Sequence, residues 1–187
     1  MTMLDTKQTQ DVSNAIEFAP QGGLAWLLRA RQRVPVARDR LFPLFADAAN
    51  LARITPPELG FDILTELPIA MRAGTLIDYR IGLWGIRMRW RTEISAWNPP
   101  VEFVDTQLSG PYAEWVHRHR FIEMAPQSTL VEDFVRFRLP LGRLGAAAAP
   151  LVRRQLRRIF TFRRSAILRL IQDEGLTDRD QGSIPGR

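Results

Sequence analysis

The sequence predicts an α+β domain in which a curved antiparallel sheet of about seven strands packs against one long C-terminal helix. Three observations predict it. Most of the chain between residues 26 and 139 falls into short stretches where apolar and polar side chains alternate with period two, as half-buried strands do. No stretch alternates strand with crossover helix, so the strands have no means of running parallel. After residue 146 the apolar period changes to three and four and holds for about 25 residues, roughly 38 Å of helix and enough to cross a whole sheet.

The elements follow in order. Residues 26–34 set Trp26, Leu28, Ala30, Gln32 and Val34 against Leu27, Arg29, Arg31 and Arg33, and Pro35 ends this first strand. Residues 38–54 carry Leu41, Leu44, Phe45, Ala48, Ala49 and Ala52 at helical spacing, with Pro43 and Asn50 dividing them into two short helices. A strand is expected at 60–67, then a hairpin of 75–83 and 86–97 turning near Trp84-Gly85. Pairing Leu83 with Ile86 puts Tyr79 opposite Trp90 and Ile81 opposite Met88, with Asp78 opposite Arg91 and Arg80 opposite Arg89 on the other face. Strands at 101–108 and 115–121 follow, then one at 129–139 with Val131, Asp133, Val135 and Phe137 inward and Glu132, Arg136 and Arg138 outward. The helix buries Val152, Leu156, Ile159, Phe160, Ile167, Leu170 and Ile171, turns Arg153, Arg154, Arg157, Arg158 and Arg164 to water, and stops at Gly175.

One domain of residues 24–174 accounts for this pattern, with flexible tails at 1–23 and 175–187. Cysteine is absent, which excludes disulfides, thiolate metal sites and thiol catalysis. No apolar run approaches a membrane span, and residues 1–10 lack the apolar core of a secretory signal. A cytoplasmic bacterial protein is the expectation. The net charge of +6 and the pI near 11.0 come from arginine, since Lys7 is the only lysine. Such a bias can arise from base composition, and of the aromatics among the helix arginines, Phe160 and Phe162, at least Phe160 belongs to the buried stripe. No nucleic-acid partner is therefore expected.

Both histidines lie in the stretch Trp-Val-His-Arg-His-Arg-Phe, residues 115–121. Alternation puts Trp115, His117, His119 and Phe121 on one face and Val116, Arg118 and Arg120 on the other, and the arginines claim the solvent side. Two imidazoles then stand among large aromatic rings, the mixture a ligand cavity needs. Asp133 on the next strand is the best-placed carboxylate to orient them, because a buried carboxylate without a partner is costly. Asp105 and Gln107 compete for the inward side of their strand with Val104, Thr106 and Leu108, and the pattern leaves their facing open. His117, His119 and Asp133 are the candidate catalytic residues; the alternative is a His–Asp hydrogen bond that only fixes strand register. Two histidines with one acid make three ligands, but no further histidine completes a common zinc set, so no metal site is expected. Neither a phosphate-binding Gly-rich loop nor a Gly-x-Ser-x-Gly elbow occurs, and no cofactor is expected.

Several phrases resemble the START-like, or SRPBCC, superfamily and its bacterial cyclase/dehydrase-like ligand-binding branch. They include Phe45-Ala-Asp-Ala-Ala-Asn-Leu51, Ile54-Thr-Pro-Pro57, Gly74-Thr-Leu-Ile-Asp-Tyr79, Trp90-Arg-Thr-Glu-Ile94, Phe103-Val-Asp-Thr-Gln107, Gly110-Pro-Tyr112, the histidine stretch and Leu151-Val-Arg-Arg-Gln-Leu-Arg-Arg-Ile-Phe160. The resemblance implies the helix-grip fold, with a cavity between sheet and C-terminal helix holding a hydrophobic small molecule. Tyr79, Trp90, Trp115, His117, His119, Phe121, Phe137, Leu156 and Ile159 are then its expected lining. The expected function is that of a carrier or sensor for a lipid, quinone or polyketide-like metabolite. The alternative is a cyclase, aromatase or dehydratase with His117 and His119 as acid–base groups. The Arg-rich helix face would add transient contact with an anionic membrane surface.

Overall fold

The computed structural model describes residues 14–83 and 85–176. Its strands are β1 (Ile16–Pro20), β2 (Ala25–Val34), β3 (Asp62–Ile63), β4 (Leu76–Leu83), β5 (Ile86–Asn98), β6 (Glu102–Ser109), β7 (Glu114–Ala125) and β8 (Ser128–Arg138). They form one antiparallel sheet in the order β1-β2-β8-β7-β6-β5-β4-β3. The helices are α1 (Arg38–Ala46), α2 (Gly142–Ala147) and α3 (Ala149–Asp173), with 3-10 turns at Ala48–Leu51 and Pro57–Leu59. Register shifts in β5 between Arg91 and Thr92 and between Ile94 and Ala96 mark bulges, which bend a strand and increase its twist.

The β4–β5 register is the one the alternation predicts: Leu83–Ile86, Ile81–Met88, Tyr79–Trp90, Arg80–Arg89 and Asp78–Arg91. The unlike pair on the outer face closes as a two-pronged ion pair, Arg91 donating to Asp78 at 2.8 and 2.7 Å. Trp84 lies outside the described residues, and Gly85 takes the positive φ of 80° that the turn requires.

The strand count is eight rather than about seven. Residues 16–20, expected within a flexible lead, pair with β2 from Ile16–Ala30 to Pro20–Trp26. Ile16 and Phe18 pack on the core, and the Arg157 guanidinium lies 5.2 Å above the Phe18 ring. The domain therefore begins before residue 24. At 60–67 the expected strand shortens to Asp62–Ile63, continued by bonds from the Leu64 and Thr65 amides to the Asp78 carbonyl and from the Asp78 amide to the Thr65 hydroxyl.

Pro43 does not divide the first helical region. It sits inside α1, and the break falls at Asp47, whose carboxylate accepts from the Ala49 amide. An interior proline costs ~3 kcal/mol. Burying Leu41, Phe42 and Phe45 contributes about 1.5–3 kcal/mol each, which outweighs it.

Helix α3 lies across the concave side. Val152, Leu156, Phe160, Ala166, Ile167, Leu170 and Ile171 are buried along it. It ends in a Schellman arrangement: Gly175 has φ 63°, its amide reaches the Gln172 carbonyl, and the Leu176 amide reaches Ile171. The short α2 before it was not expected from the sequence. Part of the arginine stripe makes contacts within the domain, with half-buried Arg153 4.1 Å above the Trp26 ring and exposed Arg157 donating to the Ile16 carbonyl. Glu132 points outward as expected, yet is buried beneath Arg29, Arg31 and Arg120. No helix among the described residues is long and apolar enough to cross a membrane.

Candidate functional site

Three neighbouring strands build the site. Asp105 of β6 stands opposite His117 of β7, and His119 stands opposite Asp133 of β8. Because side chains alternate, all four belong to the rank on the helix side. His117 Nε2 lies 2.9 Å and His119 Nδ1 2.8 Å from the same oxygen, Asp133 Oδ1. On the other side, His119 Nε2 lies 3.1 Å and His117 Nδ1 3.6 Å from Asp105 Oδ2. The two Nε2 contacts are well-formed hydrogen bonds. His119 Nδ1 is close to Asp133 but not aligned to bond it. Phe103 stacks on His119 at 4.3 Å and Phe160 meets His117 edge-on at 5.8 Å, so the cluster is held between rings.

Next to this cluster, between sheet and α3, is a chamber of about 150 Å³. Tyr79, Trp90, Trp115, Leu156 and Ile159 form apolar wall, and Thr92, Asp105, His117, His119 and Arg163 form a polar side. The Trp90 indole N–H is buried without a hydrogen-bond partner among the described residues. A second, outer groove of about 660 Å³ runs between the Pro57–Leu59 turn, the β4–β5 hairpin and α3. It shares Leu59 and Ile159 with the chamber, so these two side chains partition one space from the other.

No protein-family model matches the chain, and no curated protein matches it significantly in sequence. Solved structures do match. The Zhui aromatase/cyclase from Streptomyces sp. R1128 superposes with a TM-score of 0.65 at 17% identity, covering 86% of this chain and 99% of that one. A START superfamily protein from Mycobacterium smegmatis gives 0.62 at 12% identity, covering 79% and 98%. The chain has the START-like helix-grip fold. At such identities the likeness carries the fold and not the activity.

Within the helix-grip frame, seven of the nine expected lining residues border the chamber: Tyr79, Trp90, Trp115, His117, His119, Leu156 and Ile159. Phe121 and Phe137 face inward but do not line it. Phe121 is filled in by α1, with Phe42 at 5.2 Å and Phe45 at 4.9 Å, and Phe137 is covered by Tyr112 and Trp115. Asp133 lies behind the histidines, not on the wall. Asp105 turns inward and reaches the wall, whereas Gln107 donates to the Tyr112 carbonyl and braces the β6–β7 connection. Arg163 was missed. Its spacing, seven after Leu156 and four after Ile159, follows the buried stripe and was the available signal.

Burial and pairing pull the four ionisable groups apart. Burial opposes ionisation of both carboxylates. Imidazole hydrogen bonds and positive charge outweigh it and hold Asp105 and Asp133 below the ordinary carboxylate range. Burial also opposes protonation of both histidines. At His119 the two aspartates win and its pKa is raised; at His117 burial and the charge of His119 win and its pKa is lowered. Near neutrality His119 is thus the favoured seat of the proton, facing the chamber. Burial also raises the Tyr79 hydroxyl well above its ordinary value, keeping it a neutral donor.

Proposed function

We propose that the protein binds a hydrophobic small molecule in the chamber, as a carrier or sensor. The observation that carries this reading is a largely apolar chamber with a few polar groups in its lining, the composition of a small-molecule site. About 150 Å³ is the size at which an apolar protein cavity admits a benzene-sized guest. One aromatic ring or a short chain segment therefore fits, its oxygen directed at Thr92, His119, Arg163 or the Trp90 N–H. A longer lipid, quinone or polyketide-like ligand extends into the outer groove by displacing Leu59 and Ile159. Native mass spectrometry of protein purified from its own host tests this. A co-purified apolar compound in stoichiometric amount is expected, and repeated isolation of ligand-free protein argues against it.

The second reading is a cyclase, aromatase or dehydratase acting on such a ligand. Three buried ionisable groups, His117, His119 and Asp133, with half-buried Asp105 beside an apolar chamber favour it, since burying charge is costly unless the groups are tightly paired. In this reading the His117–His119 pair supplies the acid–base groups for a ligand carbonyl or hydroxyl, with Asp105 and Asp133 holding the imidazolium. Transient docking on an anionic membrane goes with either reading. It is supported by exposed Leu141, Leu144 and Leu151 near Arg143, Arg154 and Arg158. Co-sedimentation with phosphatidylglycerol vesicles but not phosphatidylcholine vesicles is the expected result.

A further inference from the structure

We propose that Asp105, His117 and His119 form a binding site for one divalent transition-metal ion, ligated by Asp105 Oδ2, His117 Nδ1 and His119 Nε2. The sequence offered two imidazoles and an uncertain acid. The fold supplies the third ligand from β6, and the three donor atoms lie within 4.8 Å of one another.

Donor spacing suits an ion. Bonds of about 2.0–2.1 Å place neighbouring donors roughly 2.9–3.4 Å apart. The Asp105 oxygen stands 3.1 Å from His119 Nε2 and 3.6 Å from His117 Nδ1, and all three donors lie within 4.8 Å of one another, so the set contracts to close on an ion. Orientation is the second, independent observation. A ligating histidine generally gives its other nitrogen to a carboxylate that fixes the ring and raises its basicity. Here the outer nitrogen of His117, Nε2, hydrogen-bonds Asp133 Oδ1 at 2.9 Å, and His119 Nδ1 lies 2.8 Å from the same oxygen without the alignment of a bond. One carboxylate thus orients the His117 ring and stands beside that of His119, and Asp133 is a positioning residue.

Access is the third. Asp105, His117 and His119 border the chamber and Asp133 does not, so coordination positions left free by three protein ligands face the bound molecule. A dication would take the place of the His119 proton: with both imidazoles neutral, as ligation requires, two carboxylates against the guanidinium of Arg163 leave negative charge to be met. Two imidazoles and one carboxylate suit iron(II), cobalt(II) or zinc(II) better than calcium or magnesium. Such an ion would polarise a ligand carbonyl or hydroxyl oxygen. The inference stands whether or not an organic ligand occupies the chamber.

Titrating the full chain with cobalt(II), followed by visible absorption, tests it. One equivalent is expected to bind with d–d bands of a nitrogen–oxygen site and to be displaced by zinc(II). Asp105→Asn and His119→Gln should weaken binding at least ~100-fold, and Asp133→Asn by about 10–100-fold, the usual effect of removing a ligand's orienting partner. As a readout free of variants, zinc(II) should shift the imidazole C–H resonances of both histidines in the wild-type protein. Absence of saturable one-to-one uptake, unchanged affinity in folded Asp105→Asn, or unmoved histidine resonances at excess zinc would each overturn the proposal.

Discussion

The His117 and His119 rings lie 3.7 Å apart on β7, and both turn a nitrogen to the same oxygen of Asp133. Two imidazolium charges at that separation repel strongly in a buried site, so the first proton disfavours the second. The pair therefore titrates in two steps, one above and one below the ordinary histidine value of ~6.5. Proton NMR of the two imidazole C–H signals checks this, with His119→Phe giving the assignment. A single joint titration near 6.5 would contradict it.

Stability follows with a sign for each group. His119, raised in the folded state, contributes stability that is complete below ~6.5 and lost as pH rises through its folded value. His117, lowered, does the reverse: its contribution is present above ~6.5 and lost as pH falls through its folded value. Asp105 and Asp133, lowered, stabilise above ~3.9 and lose that contribution on further acidification. Urea unfolding across pH should therefore show only a shallow dependence around neutrality and a steep loss below about 4.

Asp133→Ala leaves the His117 donor buried without its acceptor. A loss of ~1–3 kcal/mol is expected from denaturant unfolding. A change within about 0.5 kcal/mol, the range of ordinary surface sites, would mean that Asp133 does not hold the cluster together.

Phe121 separates core from site. It is packed under Phe42 and Phe45 and does not touch the chamber. Phe121→Ala should cost about 3–5 kcal/mol of stability. In the fraction that remains folded, affinity for a single-ring probe such as phenol should change less than twofold. A selective loss of probe binding would return Phe121 to the wall.

His117→Phe and His119→Phe distinguish carrier from enzyme. Both keep a ring and remove the proton-transfer group. In a carrier, binding of the co-purified compound changes by about tenfold or less, ~1.4 kcal/mol. In a cyclase or dehydratase, turnover falls by roughly 10²–10⁴ while binding survives.

The β4–β5 hairpin could be read because two patterns agree there: the apolar set Tyr79, Ile81, Leu83, Trp90 on one face and the Asp78–Arg91 pair on the other. Asp105 could not, because β6 carries Val104, Thr106 and Leu108 on the alternate positions, and alternation favours neither face. Only the pairing of Asp105 with His117 decides it, and that is a long-range fact. Phe121 and Phe137 show a different limit. Period two gives the face of a side chain but not what covers it, and α1 fills the space over Phe121. Ile16–Pro20 escaped notice because five residues ending before a Gly-Gly turn carry too little pattern to separate an edge strand from a tail.

The most direct measurement is calorimetric titration of phenol into the wild-type protein and into Ile159→Trp, whose larger side chain fills the chamber from α3. A chamber that serves as the binding site gives saturable one-to-one binding by the wild type and at least tenfold weaker binding by the variant, with unchanged circular dichroism. Equal binding by both proteins, or none by the wild type, would contradict a ligand site between the sheet and the C-terminal helix.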